Sequence, residues 1–391
     1  MESDFSYMDF DLFDVAKSEC FSILNLALDN LELYNFNVDT QDAKNGNTLL
    51  HYAAVAGNIE TVDKLLSLSA YTNILNKRGE TALHLACRRG QLSVVKLLLK
   101  YGSKLNSIDF YGETPIFKSV QGENKLLTQC LLSEENVNLK ISNHSSERLI
   151  HMGVKFNDIN LVEVLLQAGE DPNVTTEAGE TPLQLAVQYG QIDILKLLID
   201  QQADLNVMDT QNCTLLHLAA KNNQETICMQ LINEGLDVNS QDVNGSSPLH
   251  LAVEFNSSSV VQLLLENRAD VNQNDLDDYT PLHIAAKTKN SFDVLELLIK
   301  YNGKLDAATV HGDLPLHVAA AVGNAKAFAF LFSKKYINCL NNSMYTPLLI
   351  AQQNGCFSIA QLITELDKNN NVPPKIPVLT KLHALKRRTI L

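Results

Sequence analysis

Seven of the ten histidines in this 391-residue chain, His51, His84, His151, His217, His250, His283 and His317, occupy one position of a recurring pattern. Imidazole titrates near neutral pH, so it can ligate a metal, shuttle a proton or act as a general base. Seven in register therefore raise the question of metal or acid-base chemistry. Their spacing argues against it. If each length of the pattern folds as one helical layer, equivalent rings sit about 10 Å apart, whereas ligands of a shared zinc ion must approach it to about 2 Å. The chain also lacks H-E-x-x-H, the phosphate-cradling G-x-x-x-x-G-K, G-x-S-x-G and the kinase signatures. The seven rings are assigned to structure, and neither enzymatic activity, a cofactor nor a metal is expected.

The elements that position these rings are repeats. Thr280-Pro281-Leu282-His283-Ile284-Ala285-Ala286 is the clearest copy, and near copies begin at Thr48, Thr81, Thr114, Arg148, Thr181, Thr214, Ser247, Leu314 and Thr346. Thr or Ser offers a hydroxyl to the free N–H groups of a helix start, and Pro beside it has the preset φ and no N–H to strand. A short helix with small residues therefore begins here. After a Gly or Asn turn comes a second apolar series, such as Ile192, Ile194, Leu195, Leu197, Leu198 and Ile199, dense enough for burial between layers. Each unit closes on a segment like Ala269-Asp270-Val271-Asn272, which leaves the helical pattern.

The period of about 33 residues and the Thr-Pro-Leu-His-x-Ala signature resemble the ankyrin repeat, whose known pattern is matched here rather than predicted. The resemblance implies an all-α solenoid of stacked helix-turn-helix units with projecting hairpin loops. Each layer borrows buried surface from the next. It also implies binding through a concave side made of loop tips and first helices, with the repeat histidines bridging backbone and Thr hydroxyl groups of neighbouring loops. The expected organisation is an acidic flexible amino terminus at 1–10, a degenerate capping repeat at 11–40, an array at 41–366 with starts near 45, 78, 111, 145, 178, 211, 244, 277, 311 and 343, and a basic tail at 367–391. The fourth repeat departs most. Arg148 and Leu149 replace Thr and Pro, and Gly153 interrupts the first helix at a cost of about 1 kcal/mol relative to Ala, so a weak point is expected near 141–157.

Composition sets the partner class. Thirty-one Lys and Arg against 45 Asp and Glu give a net charge of −14. Such a surface repels a phosphate backbone, so nucleic acid is a poor partner and one or more proteins are expected. No apolar run is long enough for a transmembrane helix. The amino terminus lacks a secretory pattern, and the seven cysteines are scattered without a C-x-x-C pair. The chain reads as cytoplasmic, with nuclear access open. Its oligomeric state is not readable.

Partner contacts are sought at the tips and first-helix ends. Lys77 and Arg78 at one tip, with Arg88 and Arg89 on the following helix, form either a contact for an acidic partner or a solvated face softened by Glu80. Phe110 and Tyr111 at the next tip either anchor a partner or pack on the adjacent hairpin. Tyr189, Phe255 and Tyr279 are the spaced aromatics of later layers. From residue 368 onward the tail carries Lys368, Lys375, Lys381, Lys386, Arg387 and Arg388 with no acid. It is compatible with a short amphipathic helix that contacts an acidic surface or a membrane weakly.

The leading reading is a non-enzymatic scaffold or adaptor. The alternatives are a host-targeted effector or ubiquitin-ligase substrate adaptor that uses the basic tail, and an inhibitor masking a basic segment of a transcription factor.

Overall fold

A computed structural model describes residues 11–30, 36–333 and 335–368, with side chains described up to residue 363. The acidic segment expected at 1–10 and the tail from residue 369 onward lie outside the described residues. The chain divides into two compact units, 1–207 and 208–391.

In the first unit, six helix pairs follow in order: Leu12–Lys17 with Phe21–Leu28, Leu49–Ala56 with Ile59–Ser67, Ala82–Arg89 with Leu92–Lys100, Pro115–Gln121 with Lys125–Leu132, Leu149–Lys155 with Ile159–Gln167, and Pro182–Gln188 with Ile192–Asp200. The second has five: Leu215–Lys221 with Glu225–Asn233, Pro248–Glu254 with Ser258–Glu266, Pro281–Lys287 with Phe292–Lys300, Pro315–Val322 with Ala325–Leu331, and Pro347–Gln353 with Phe357–Lys368. Each first helix packs on its own second helix and, within a unit, on the first helix of the next layer. No strand forms among the described residues, and one isolated antiparallel bridge joins Met208 to Thr214.

The Pro281–Lys287 layer shows why the sequence folds this way. Thr280 is extended at φ −89° and Pro281 occupies the first turn, where its missing N–H costs nothing. Leu282, Ala285 and Ala286 are buried, and the two alanines allow close approach of the neighbouring helix. In the partner helix Val294, Leu295 and Leu298 recur on one stripe and are buried as well. Truncating such a residue, for instance Leu298→Ala, is expected to cost about 2–5 kcal/mol.

The Thr81, Thr181 and Thr346 hydroxyls accept the N–H three residues further on, as the sequence leads one to expect, at 3.4, 3.2 and 3.3 Å, and in other layers the hydroxyl meets the imidazole. Thr280 Oγ1 lies 2.9 Å from His283 Nδ1 and Thr48 Oγ1 2.8 Å from His51 Nδ1. In these layers the cap engages the ring, because the imidazole reaches back to the helix start. Phe117 replaces the ring in the third regular repeat, and Thr114 Oγ1 is there buried without a hydrogen-bond partner among the described residues.

Arg148 supplies no hydroxyl, yet its N–H still donates to His151 Nδ1 at 3.0 Å. Its guanidinium reaches Glu170 Oε1 at 2.8 Å, and the Glu170 side chain is almost fully buried. An ion pair thus holds the start of this layer to the loop that ends it.

Candidate protein-binding face

Each projecting loop is closed by one short polar side chain. Asn76 Oδ1 accepts the N–H groups of Arg78 at 2.8 Å and Glu80 at 2.9 Å, while Asn76 N–H donates to the Glu80 carbonyl at 2.9 Å. Asp109, Asn143, Asp209, Asp242, Asp275 and Asn341 close their loops in the same way. Gly79 completes the first of these turns at φ +75°, where a Cβ would come within 2.6 Å of Phe110 Cδ1 and 2.7 Å of Phe110 N. Only glycine meets both demands.

The tips are joined to each other through their backbones. In the first unit Lys77 N–H donates to Asn45 O at 2.9 Å, Phe110 N–H to Arg78 O at 3.0 Å, His144 N–H to Tyr111 O at 2.8 Å and Glu177 N–H to Ser145 O at 2.9 Å. In the second unit the relay runs from Val243 N–H to Gln211 O, Leu276 N–H to Asn244 O, Val310 N–H to Asp277 O and Asn342 N–H to His311 O.

The repeat histidines lie behind this row. In each, Nδ1 accepts the backbone N–H of the helix-start residue, as from Thr48 at 3.1 Å and Thr280 at 3.1 Å. A backbone N–H can only donate, so Nδ1 is unprotonated and Nε2 carries the proton. That Nε2–H donates to a carbonyl of the following loop: His51 to Glu80, His84 to Glu113, His151 to Val174, His217 to Ser246, His250 to Tyr279, His283 to Asp313 and His317 to Tyr345. Burial holds all seven below the ordinary histidine range, with His283 lowered to about 4. Both ring nitrogens of these neutral imidazoles are committed to holding one loop on the next.

Charged pairs pin several tips of the first unit to their helices. Arg88 pairs with Glu80 and Lys155 with Glu147, each eight residues apart. In the Phe110–Tyr111 layer the cation is Lys118, whose side chain is 2% exposed and stands where other repeats have Tyr, Leu, Met, Ile or Val. Its ammonium lies 2.7 Å from Asp109 Oδ2, also pairs with Glu113, and sits 5.7 Å from the centre of the Tyr111 ring. Gln121 Nε2 adds a hydrogen bond to Glu113 Oε1 at 2.7 Å. Burial alone would raise the Asp109 carboxyl, but the Lys118 hydrogen bond and the loop N–H donors outweigh it and hold the group below its usual range. Sequence reading missed this triad; a lysine in an apolar slot, with acids five and nine residues before it, was the available signal.

The candidate contact residues divide accordingly. Lys77, Arg78 and Arg89 are exposed, while Arg88 is turned toward Glu80. Phe110 and Tyr111 are 63% and 61% exposed, although the Phe110 ring edges onto Gly79. Tyr189 and Phe255 are half exposed, and Phe255 lies under the Lys221 ammonium at 5.7 Å from its ring centre. Tyr279 is half-buried against His283, its ring centre 5.5 Å from the imidazole. Burial, followed by Asp313, Asp275 and Asp277, pushes its phenol up.

In each unit a row of tips joined backbone to backbone and backed by committed histidines defines a stacked helical-repeat protein. The family description "Ankyrin repeats (3 copies)" matches residues 12–109, 50–143, 150–242, 216–309 and 282–373. The chain therefore belongs to the ankyrin repeat family, whose members are generally non-catalytic modules of protein–protein interaction. Comparison with curated proteins gives no match. No helix among the described residues is long and apolar enough to cross a membrane.

Proposed function

We propose that the chain is a non-enzymatic scaffold or adaptor that holds partner proteins against its loop tips and first helices. The supporting observation is the Phe110–Tyr111 pair: two adjacent aromatics, each more than 60% exposed, on a loop fixed by the Asp109–Glu113–Lys118 triad. A large aromatic surface held rigid at low entropic cost is what dominates protein interfaces. The exposed cations Lys77, Arg78 and Arg89 extend the contact toward acidic groups on the partner, and Tyr189 offers a further aromatic anchor.

Crosslinking of the full chain in cell extract, followed by identification of the bound proteins, tests the proposal. The double variant Phe110→Ala with Tyr111→Ala is expected to lose its partners by more than about tenfold, since each aromatic anchor contributes on the order of 1–2 kcal/mol. An unchanged partner set would remove this tip from the interface. Loss of partners in a chain ending at residue 367, with the aromatic pair intact, would favour an adaptor working through its tail.

A further inference from the structure

The tips of the two units carry different chemistry at one backbone position. The residue that donates its amide to the preceding tip is Lys77, Phe110, His144 or Glu177 in the first unit, and Val243, Leu276, Val310 or Asn342 in the second. Val243, Leu276 and Val310 are 41%, 72% and 45% exposed, three aliphatic side chains in successive layers. Contiguous apolar area of this kind marks a surface that another molecule covers. The tips also hold one another in place. Leu276 N–H bonds to Asn244 O at 2.9 Å and Val310 N–H to Asp277 O at 3.1 Å. Gly245 turns at φ +75°, so close to the next tip that a Cβ there would lie 2.9 Å from Leu276 N.

Around this crest the charge has one sign. The loops 241–246, 274–279 and 308–313 contain Asp242, Asp275, Asp277, Asp278 and Asp313 and no lysine or arginine. In the first unit the loop acids Glu80, Glu113 and Glu147 are paired with Arg88, Lys118 and Lys155. In the second, the ion pair among the described residues joins Lys335 to Asp306, so no described lysine or arginine matches the five tip aspartates. Lys221 and Lys287 stand at the far ends of their first helices, about 10 Å from the helix starts. The Lys221 ammonium is directed over the Phe255 ring, 5.7 Å from its centre. Burial, and then Asp313, Asp275 and Asp277, push the Tyr279 phenol up, so these three carboxylates act on one neighbourhood.

Layer spacing sets the form of the ligand. Adjacent helices pack about 8–10 Å apart. An extended segment of three residues per turn rises about 3.1 Å per residue, so every third side chain falls on one face at intervals of about 9 Å. The two periods match, and lysine or arginine between the anchors reaches the aspartates beside each tip. We propose that the crest formed by Val243, Leu276 and Val310 binds an extended, positively charged segment of a partner protein with an aliphatic side chain at every third residue. Leu276 is the central anchor, and Asp277 and Asp278 beside it select for cations. An acidic segment is refused by the same carboxylates. This inference concerns the second unit and does not rest on the Phe110–Tyr111 reading, so either can fail alone.

Fluorescence anisotropy of the full chain with a labelled synthetic peptide of about ten residues, leucine at every third position and lysine or arginine at the others, tests it. The peptide is expected to bind the unaltered chain, and to bind Leu276→Ser at least about tenfold more weakly. That change is exposed and leaves the helices untouched. Asp277→Asn combined with Asp278→Asn is expected to weaken binding by about tenfold at low salt and to flatten its salt dependence. A second peptide with serine in place of leucine is expected to bind the unaltered chain at least about tenfold more weakly than the first. The Phe110→Ala, Tyr111→Ala variant is expected to bind the first peptide as the unaltered chain does. Absence of binding, equal binding of the serine peptide, or binding indifferent to both second-unit variants would overturn the proposal. Loss of the peptide from the Phe110→Ala, Tyr111→Ala variant would place it on the first unit and overturn it too. Sedimentation velocity covers the remaining occupant: a dimer that Leu276→Ser dissolves would assign the crest to a second copy, against the proposal.

Discussion

His283 Nε2 lies 3.0 Å from the carbonyl oxygen of Asp313, thirty residues further along the chain, while Nδ1 of the same ring accepts the N–H of Thr280 at 3.1 Å. Protonating Nδ1 would place two donors face to face, which sets the acid response of the fold. All seven repeat rings are held below the ordinary histidine value, so in the range below about pH 6.5, down to about pH 4 for His283, the unfolded chain binds more protons than the folded one. The stabilisation is complete above about pH 6.5 and is lost as pH falls through that window. For His283, lowered from 6.5 to about 4, the loss is on the order of 3 kcal/mol. Urea unfolding followed by circular dichroism should show a lower midpoint at pH 5 than at pH 7.5. His283→Gln should show a smaller difference between the two, and a midpoint independent of pH would refute the assignment.

The Lys118 triad should behave as a buried ion pair does. Lys118→Met leaves Asp109 and Glu113 uncompensated and should cost about 3–5 kcal/mol. Combining it with Asp109→Asn and Glu113→Gln removes the stranded charges and should recover much of that loss. Thermal unfolding of both variants decides the matter, and a triple variant no better than the single one would show that the charges are not the cause.

Gly79→Ala should destabilise the tip before it affects the helices. The new methyl meets Phe110 N at 2.7 Å in a backbone conformation that L residues rarely adopt. A cost of about 1–3 kcal/mol is expected, with faster hydrogen exchange at Phe110 than in the wild type. Unaltered exchange there would indicate that the turn relaxes freely.

Removing the Arg148 guanidinium tests how the uncapped layer is held. Arg148→Ala leaves the nearly buried Glu170 carboxylate alone and should cost about 2 kcal/mol after allowance for the partial exposure of the arginine. Glu170→Gln in the same background should restore part of it, as a double-mutant cycle would measure. We further propose that residues 141–157 open more readily than the flanking layers. Uniform hydrogen-exchange protection across them would count against that.

Much of the architecture was legible because it repeats. The His51 to His317 series, the Thr-Pro starts and the apolar stripes such as Val294, Leu295 and Leu298 each recur at a period that local chemistry explains. The site was less legible for physical reasons. The Arg148 and Glu170 side chains are 22 residues apart and meet only after the layer folds. Lys118 stands in an apolar slot, and nothing in its own position shows that Asp109 and Glu113 close around it. The relay between tips is made by backbone N–H and carbonyl groups, which leave no mark on residue type. The sequence left Arg88 either in a contact for an acidic partner or on a face softened by Glu80, and the fold pairs it with Glu80.

The relay along the second unit's tips has a consequence for ligands. Leu276 donates its amide to Asn244, and Asp277, the next residue, receives the amide of Val310. A guest that moved one tip would strain the amide bonds to its neighbours, so two guests on adjacent tips are expected to bind non-additively, which titrating one in the presence of the other would measure.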